Sequence, residues 1–148
     1  MDRLYVIDTV AVVSFFHEIF EVAPRLSREV EKLVERAFST TEADIKLSIP
    51  SVVFVEIFEK WFKSEEFAER FHYDVFERIL QSPNIEIKPI EREVLENLLN
   101  IGGNLLDHDV HDKIILASAI MLHCPLITTD KEIIQYVKQN EVIPKTIS

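Results

Sequence analysis

The sequence predicts an α/β sandwich with a central, mainly parallel sheet of about four or five strands. Three observations predict it. Short apolar runs at 4–7, 45–49, 85–87 and 126–128 read as strands. Apolar residues at helical spacing fill the long intervals between those runs. The resulting order is strand, helices, strand, helices, strand, helices, strand, helix, which builds parallel sheets through helical crossovers. The length of 148 residues suits one domain over 1–148, and no repeat, low-complexity tract or linker divides it.

The first strand, Leu4-Tyr5-Val6-Ile7, is uninterrupted by polar residues, as expected of a parallel strand covered on both faces. It stops at Asp8. Val12, Phe15, Phe16, Ile19 and Phe20 then follow at helical spacing and predict a helix over 9–20. A second helix is predicted over 25–38, with Leu26, Val30, Leu33, Val34 and Ala37 as its apolar face. Arg25, Arg28, Lys32 and Arg36 recur at steps of 3, 4 and 4, which makes one basic ridge beside that face. Glu29, Glu31 and Glu35 lie around the ridge. It reads either as a solvated, ion-paired surface or as a phosphate-contacting ridge.

After the strand at 45–49, Pro50 and Ser51 open a helix carrying Val52, Val53, Val55, Glu56, Ile57, Phe58, Trp61 and Phe62. Glu56 stands among apolar neighbours, and a buried carboxylate is costly unless it is paired, hydrogen-bonded or metal-bound. Glu59 and Lys60 read as surface charges. A helix over 65–80 presents Phe67, Phe71, Val75, Phe76 and Leu80. With Trp61 and Phe62, these aromatics would cap the core or form a dimer face. Ile85-Glu86-Ile87 alternates as a strand, and helical spacing resumes over 90–99.

Gly102 and Gly103, the two glycines of the chain, mark a loop. It leads through Asp107, His108 and Asp109 to His111-Asp112, which opens a mostly apolar helix. Cys124-Pro125 ends that helix, and the strand at 126–128 runs out into Thr129-Asp130. A short helix over 131–138 and a last edge strand at Val142-Ile143 complete the expectation.

Composition narrows the function classes. Hydrophobic residues make up 47% and charged residues 28%, which fits a globular chain with a substantial core. The one cysteine, Cys124, permits no intrachain disulfide and fits a reducing compartment. Its apolar neighbours point to a packed, unreactive thiol. No apolar run reaches the roughly 18 residues that a membrane span needs. The apolar stretch over 4–16 is interrupted by Asp8 and lacks a small-residue cleavage site, so it reads as structure in a cytoplasmic protein. The net charge of −10 argues against a general nucleic-acid binder and suits a cation site or a basic protein partner.

Four acids occupy comparable places: Asp8 after the first strand, Glu56 on an apolar helix, Asp112 at a helix start and Asp130 after a late strand. In an open parallel sheet such positions meet in one crevice, where ligands bind. Four carboxylates in one crevice cannot all stay ionised without a cation, because like charges raise each other's pKa. A hard divalent ion such as Mg2+ resolves this, since it prefers oxygen ligands and keeps several waters. One or two such ions would orient and ionise a water and stabilise the leaving oxygen of a phosphodiester.

The sequence resembles the PIN-domain ribonucleases, most of all the VapC-type toxins of prokaryotic toxin–antitoxin pairs. Val6-Ile7-Asp8-Thr9 matches the first-strand Asp followed by Ser or Thr. Pro50-Ser51-Val52-Val53-Phe54-Val55-Glu56 matches the helix that carries the second acid. His111-Asp112 with Ile115, Ala117 and Ala119 matches the third acid and its small-residue helix. Leu126-Ile127-Thr128-Thr129-Asp130 matches the strand that ends in Thr-x-Asp.

The resemblance spans almost the whole chain. It implies a PIN-like α/β/α sandwich in which Asp8, Glu56, Asp112 and Asp130 bind Mg2+ or Mn2+ and cleave RNA. Thr128 would support the last acid, Thr9 is the Ser or Thr of the first motif, and Asp109 would be an accessory acid. It also implies a homodimer and a small antitoxin partner whose tail covers the site. A dimer could bring two Arg25–Arg36 ridges to one groove, a feature outside the family motif. His108 receives no role, and His111 reads as an orienting or solvent-facing residue.

Three rivals compete. An HD-type phosphohydrolase could use His111-Asp112 or His108-Asp109, but that fold is wholly helical and the strand-like runs oppose it. A haloacid-dehalogenase-like enzyme needs a second Asp that Asp8-Thr9-Val10 lacks. A catalytically silent PIN-like scaffold for RNA processing is the alternative from a different class, and the presence of all four acids speaks against degeneration.

Overall fold

The computed structural model describes residues 3–39, 44–141 and 145–148. Among them are five strands: β1 (Arg3–Ile7), β2 (Ile45–Pro50), β3 (Ile85–Lys88), β4 (Leu126–Ile127) and β5 (Thr146–Ile147). All neighbours pair in parallel, in the order β3-β2-β1-β4-β5. This is the PIN-like α/β/α arrangement that the sequence predicts. The chain steps outward from β1 through β2 to β3, then crosses back to β4 and β5. The order therefore reverses between β1 and β4, and the crevice beyond the carboxyl ends of those two strands is the topological switch point.

The register explains why these short runs become strands. Tyr5, Leu47 and Ile85 stand level on one face, and Ile7 and Ile127 continue it. Val6 and Leu126 stand level on the other. Val6, Ile7, Leu47, Ile49, Leu126 and Ile127 are all buried, as strands covered by helices on both faces require.

The predicted helix over 9–20 is two pieces, α1 (Thr9–Phe15) and α2 (His17–Phe20), with the turn at Phe16. That turn sets two successive rings on one partner. Phe15 stacks on Phe38 at 5.2 Å and Phe16 meets it edge-on at 5.5 Å. Next comes α3 (Arg28–Ser39). Ser27 Oγ accepts the Val30 backbone N–H and caps this helix, so it starts later than position 25. Arg25 consequently lies outside the helix, with its backbone N–H donated to Ser14 Oγ at 2.6 Å. The ridge expected from four residues contains three on the helix: Arg28, Lys32 and Arg36.

After β2 come α4 (Ser51–Trp61), α5 (Glu65–Phe71), a wide π turn (His72–Phe76) and α6 (Glu77–Gln81). The expectation of one regular helix over 65–80 is corrected at the π turn. Phe71, Val75 and Ile79, four apart, stay on the buried face through it. Leu80, expected there, is exposed. Then follow α7 (Arg92–Leu99), a tight turn at Gly103–Leu105, α8 (Val110–Leu122) and, after β4, α9 (Lys131–Gln139). Gly103 has a φ of 59°, a conformation in which other residues are strained. The expected edge strand at Val142-Ile143 lies outside the described residues, and the last described strand is at Thr146–Ile147.

One continuous hydrophobic core joins both helical layers to the sheet. Cys124 is buried within it, and burial pushes its thiol pKa up to about 11, as an unreactive thiol requires. Among the described residues, no helix is long and apolar enough to cross a membrane.

Candidate functional site

Three of the predicted acids are placed by helix starts at the switch point. Asp8 follows β1 and caps α1, with Oδ1 accepting the Ala11 backbone N–H at 2.8 Å. Asp130 follows β4 and caps α9, with Oδ1 accepting from the backbones of Glu132 and Ile133 at 2.9 and 3.2 Å. Asp112 lies in the first turn of α8. Asp130 uses one oxygen for the cap and turns the other into the crevice. Thr128 links two of the acids: its Oγ1 accepts the Asp130 backbone N–H at 3.0 Å, and its hydroxyl donates to the Asp8 carboxylate.

The electrostatics follow from burial. Asp8 is almost fully buried; desolvation first, and then the charges of Asp112 and Asp130, raise its pKa to about 7 against the opposing bonds from Thr128 and Ala11. Asp112 is pushed up to about 6 by desolvation and then by Glu56, Asp109 and Asp130, with His108 working the other way. Both groups thus hold their protons to a higher pH than carboxylates that ordinarily ionise near pH 4. A bound cation would take their place.

Glu56 is buried on α4, as its apolar neighbours predict. Its Oε2 accepts from Lys60 Nζ at 2.7 Å. Lys60, read from the sequence as an ordinary surface charge, is therefore the partner of a buried acid. That bond comes first among the causes that hold its pKa above the usual value. Glu56 Oε1 has no hydrogen-bond partner, nor has the buried Thr9 Oγ1 beside Asp8. An orphaned, buried carboxylate oxygen is costly, and a hydrated divalent ion would supply what it lacks.

Two separate groups each bring their ligand atoms within 4.8 Å of one another: Glu56 with Asp109 and His111, and His108 with Asp112 and Asp130; Asp8 belongs to neither. Asp109 caps α8 through the His111 backbone N–H at 2.8 Å and also faces His111 Nδ1 at 3.0 Å. Burial opposes its charge, yet these His111 contacts hold its pKa below the usual carboxylate value. His108, to which the sequence assigned nothing, enters the crevice. Its Nε2 is 3.2 Å from Asp112 Oδ2 and 3.1 Å from Asp130 Oδ2, and its Nδ1 is 2.6 Å from Glu132 Oε2. Burial alone would lower the His108 pKa, but Asp130, Asp112 and Glu132 outweigh it and hold it up. The only hint in the sequence was the density of Asp and His over 107–112.

The basic ridge does not join this site. Lys32 and Arg36 line a groove with Arg3, Ile45, Pro125 and Lys145, which stand at the amino ends of the strands. The acids stand at the carboxyl ends. Arg36 is engaged by Asp44 at 2.6 Å.

Comparison with known proteins agrees with this geometry. A family model described as PIN domain matches residues 10–142. No curated protein matches the chain. Among solved structures, VapBC2 from Rickettsia felis bound to a promoter DNA fragment is similar at 16% identity and a TM-score of 0.59, covering 98% of this chain and 99% of that one. FitAcB from Neisseria gonorrhoeae is similar at 15% identity and a TM-score of 0.61, covering 97% and 96%. VapBC-1 from nontypeable Haemophilus influenzae is similar at 13% identity and a TM-score of 0.61, with the same coverage.

Proposed function

The chain belongs to the PIN domain family, and on that premise we propose that it is a divalent-metal-dependent endoribonuclease of the VapC type. The observation that carries this reading is the meeting of Asp8, Asp112 and Asp130 at the switch point, with two of their pKa values raised to about 7 and about 6. Glu56, with its orphaned oxygen, supplies the fourth carboxylate. Mg2+ or Mn2+ bound here would ionise a water and stabilise the oxygen displaced from phosphorus.

The residues of the chain divide the remaining work. Asp8, Asp112 and Asp130 would hold the ion, each on a helix start that limits its movement. Thr128 ties Asp8 to the Asp130 backbone, so the two acids keep a common orientation. Lys60 balances Glu56 in the metal-free chain. The reaction is attack of water on a backbone phosphorus, formation of one P–O bond and rupture of another, with the proton of the water taken up by a crevice carboxylate.

The similar structures are of toxin–antitoxin complexes, which supports a small antitoxin as protein partner. Exposed Val55 and Phe58 on α4, and Phe62 just past its end, are available to such a partner or to a second copy in a homodimer. On this reading the protein works in the cytoplasm. Arg28, Lys32 and Arg36 would touch RNA only well away from the crevice.

A catalytically silent scaffold is the second reading. The helix caps made by Asp8 and Asp130 favour it, because capping alone accounts for an Asp at those positions. Capping accounts for neither Glu56 nor Asp112. The deciding test is cleavage of single-stranded RNA by wild type and Asp112→Asn, each with Mn2+ and with chelator. Metal-dependent cleavage lost in the variant supports the nuclease. Equal cleavage in chelator overturns the metal-dependent mechanism, and no cleavage under any condition favours the scaffold.

A further inference from the structure

We propose that His108 is a direct nitrogen ligand of the crevice cation, shared with Asp112 and Asp130, and that it shifts the site's preference from Mg2+ toward Mn2+. The proposal rests on the reading of the crevice as a cation site and adds to it a residue outside the four-acid motif.

The first argument is distance. His108 Nε2 stands 3.2 Å from Asp112 Oδ2 and 3.1 Å from Asp130 Oδ2. Ligands on adjacent corners of an octahedron with bonds of about 2.1 Å are about 3 Å apart. Both of these pairs are therefore spaced like neighbouring ligands of one small ion, and all three residues offer ligand atoms within 4.8 Å of one another.

The second argument is independent of the acids. His108 Nδ1 contacts Glu132 Oε2 at 2.6 Å. A metal-bound imidazole characteristically donates its remote N–H to a carboxylate, which sets the tautomer and turns the other nitrogen toward the metal. Glu132 is in the first turn of α9, directly after Asp130 and Lys131, so the helix that positions Asp130 also positions the carboxylate behind His108. The His108 backbone is held in turn, its N–H donating to Leu105 O at 3.0 Å in the turn that follows Gly103. The side chain is largely enclosed, at 12% exposure. A solvent-facing histidine needs none of this support.

The consequence for metal choice is chemical. Mg2+ takes oxygen ligands and gives up water reluctantly. First-row transition ions accept imidazole nitrogen, and Mn2+, although it stands at the weak, oxygen-preferring end of that series, accepts it more readily than Mg2+. An all-carboxylate crevice suits Mg2+, whereas one nitrogen in the set favours Mn2+.

The test is metal binding to the full chain, read without reference to RNA cleavage. Mn2+ and Mg2+ affinities are measured by calorimetry for wild type, His108→Ala, His108→Gln and His111→Ala, with circular dichroism confirming the fold. Pulsed EPR of bound Mn2+ reports any coordinated nitrogen. Wild type should bind Mn2+ about tenfold or more tightly than Mg2+, and both His108 variants should lose most of that advantage. The nitrogen signal should vanish in His108→Ala and persist in His111→Ala. Mn2+ bound without a nitrogen signal, a signal lost only with His111, or an unchanged Mn2+ to Mg2+ ratio in the His108 variants each overturns the proposal while leaving the cation site standing. Failure of wild type to bind either ion overturns the cation site itself, and this proposal with it.

Discussion

The two ends of the sheet carry charge in opposite ways. At the carboxyl ends, Asp8 and Glu56 are buried, Asp112 is half-buried, and the pKa values of Asp8 and Asp112 are pushed toward neutrality. At the amino ends, Arg3 and Arg36 share Asp44 at 3.6 and 2.6 Å, with all three side chains about half exposed. Exposed pairs of that kind contribute about 0 to 1 kcal/mol, because water already solvates both partners. Buried carboxylates have no such alternative, so their energetics depend on a proton, a lysine or an ion. Charge marks a candidate site only where burial makes it expensive.

The largest expected effect lies in the crevice. Asp112→Asn should reduce RNA cleavage by about a hundredfold or more, measured as the single-turnover rate in Mn2+, since it removes a group placed at the reacting centre. A loss below about threefold would make the crevice no different from the exposed end.

Next is pH. The folded-state pKa of Asp8 lies above its unfolded value, so the folded chain holds a proton that the unfolded chain gives up from about pH 4. Without metal, this contribution is present at low pH and is lost as pH rises toward about 7. Asp8→Asn keeps a capping oxygen and removes the charge. In chelator at pH 8 it should therefore be more stable than wild type, by on the order of a few kcal/mol in denaturant unfolding. A variant less stable than wild type would show that the carboxylate is structurally required.

Lys60→Ala should cost less, about 1 kcal/mol in chelator, because Lys60 is half exposed and only Glu56 is buried. The cost should shrink when Mn2+ is added, since the ion takes over the balancing of Glu56. A cost independent of Mn2+ would place Glu56 outside the cation's reach.

The smallest effects are expected at the amino ends. Arg36→Ala should change stability by less than about 1 kcal/mol. Arg28→Ala with Lys32→Ala should weaken RNA binding modestly and lower the salt slope by about 1.4, the figure for two contacts to a single strand. Unchanged binding would assign the ridge to the ion-paired surface.

Much of the fold was legible in the sequence. Leu4-Tyr5-Val6-Ile7 and Leu126-Ile127 show their burial in uninterrupted apolarity, and each is followed closely by an acid that ends the strand. The order of elements gives parallel pairing, and parallel pairing with a reversal gives a crevice. The π turn was not legible, because positions 71, 75 and 79 fit a regular helix almost as well as a widened one. Nor was the exclusion of Arg25 from its helix, which depends on Ser27 and Ser14 capturing backbone groups that helical spacing ignores.

The sequence by itself determined the layers, the first four strands and the candidacy of four carboxylates. Those depend on hydrophobic periodicity and on which residues interrupt it, and both act over a few neighbours. The tertiary structure decided what those carboxylates face. His108 meets Asp130 and Glu132 from more than twenty positions away, through an irregular turn that has no period to read. Lys60 could be recognised as a partner only once Glu56 was known to be buried. Convergence of this kind is set by how β1 and β4 pair and where α8 and α9 begin, and no local pattern records it.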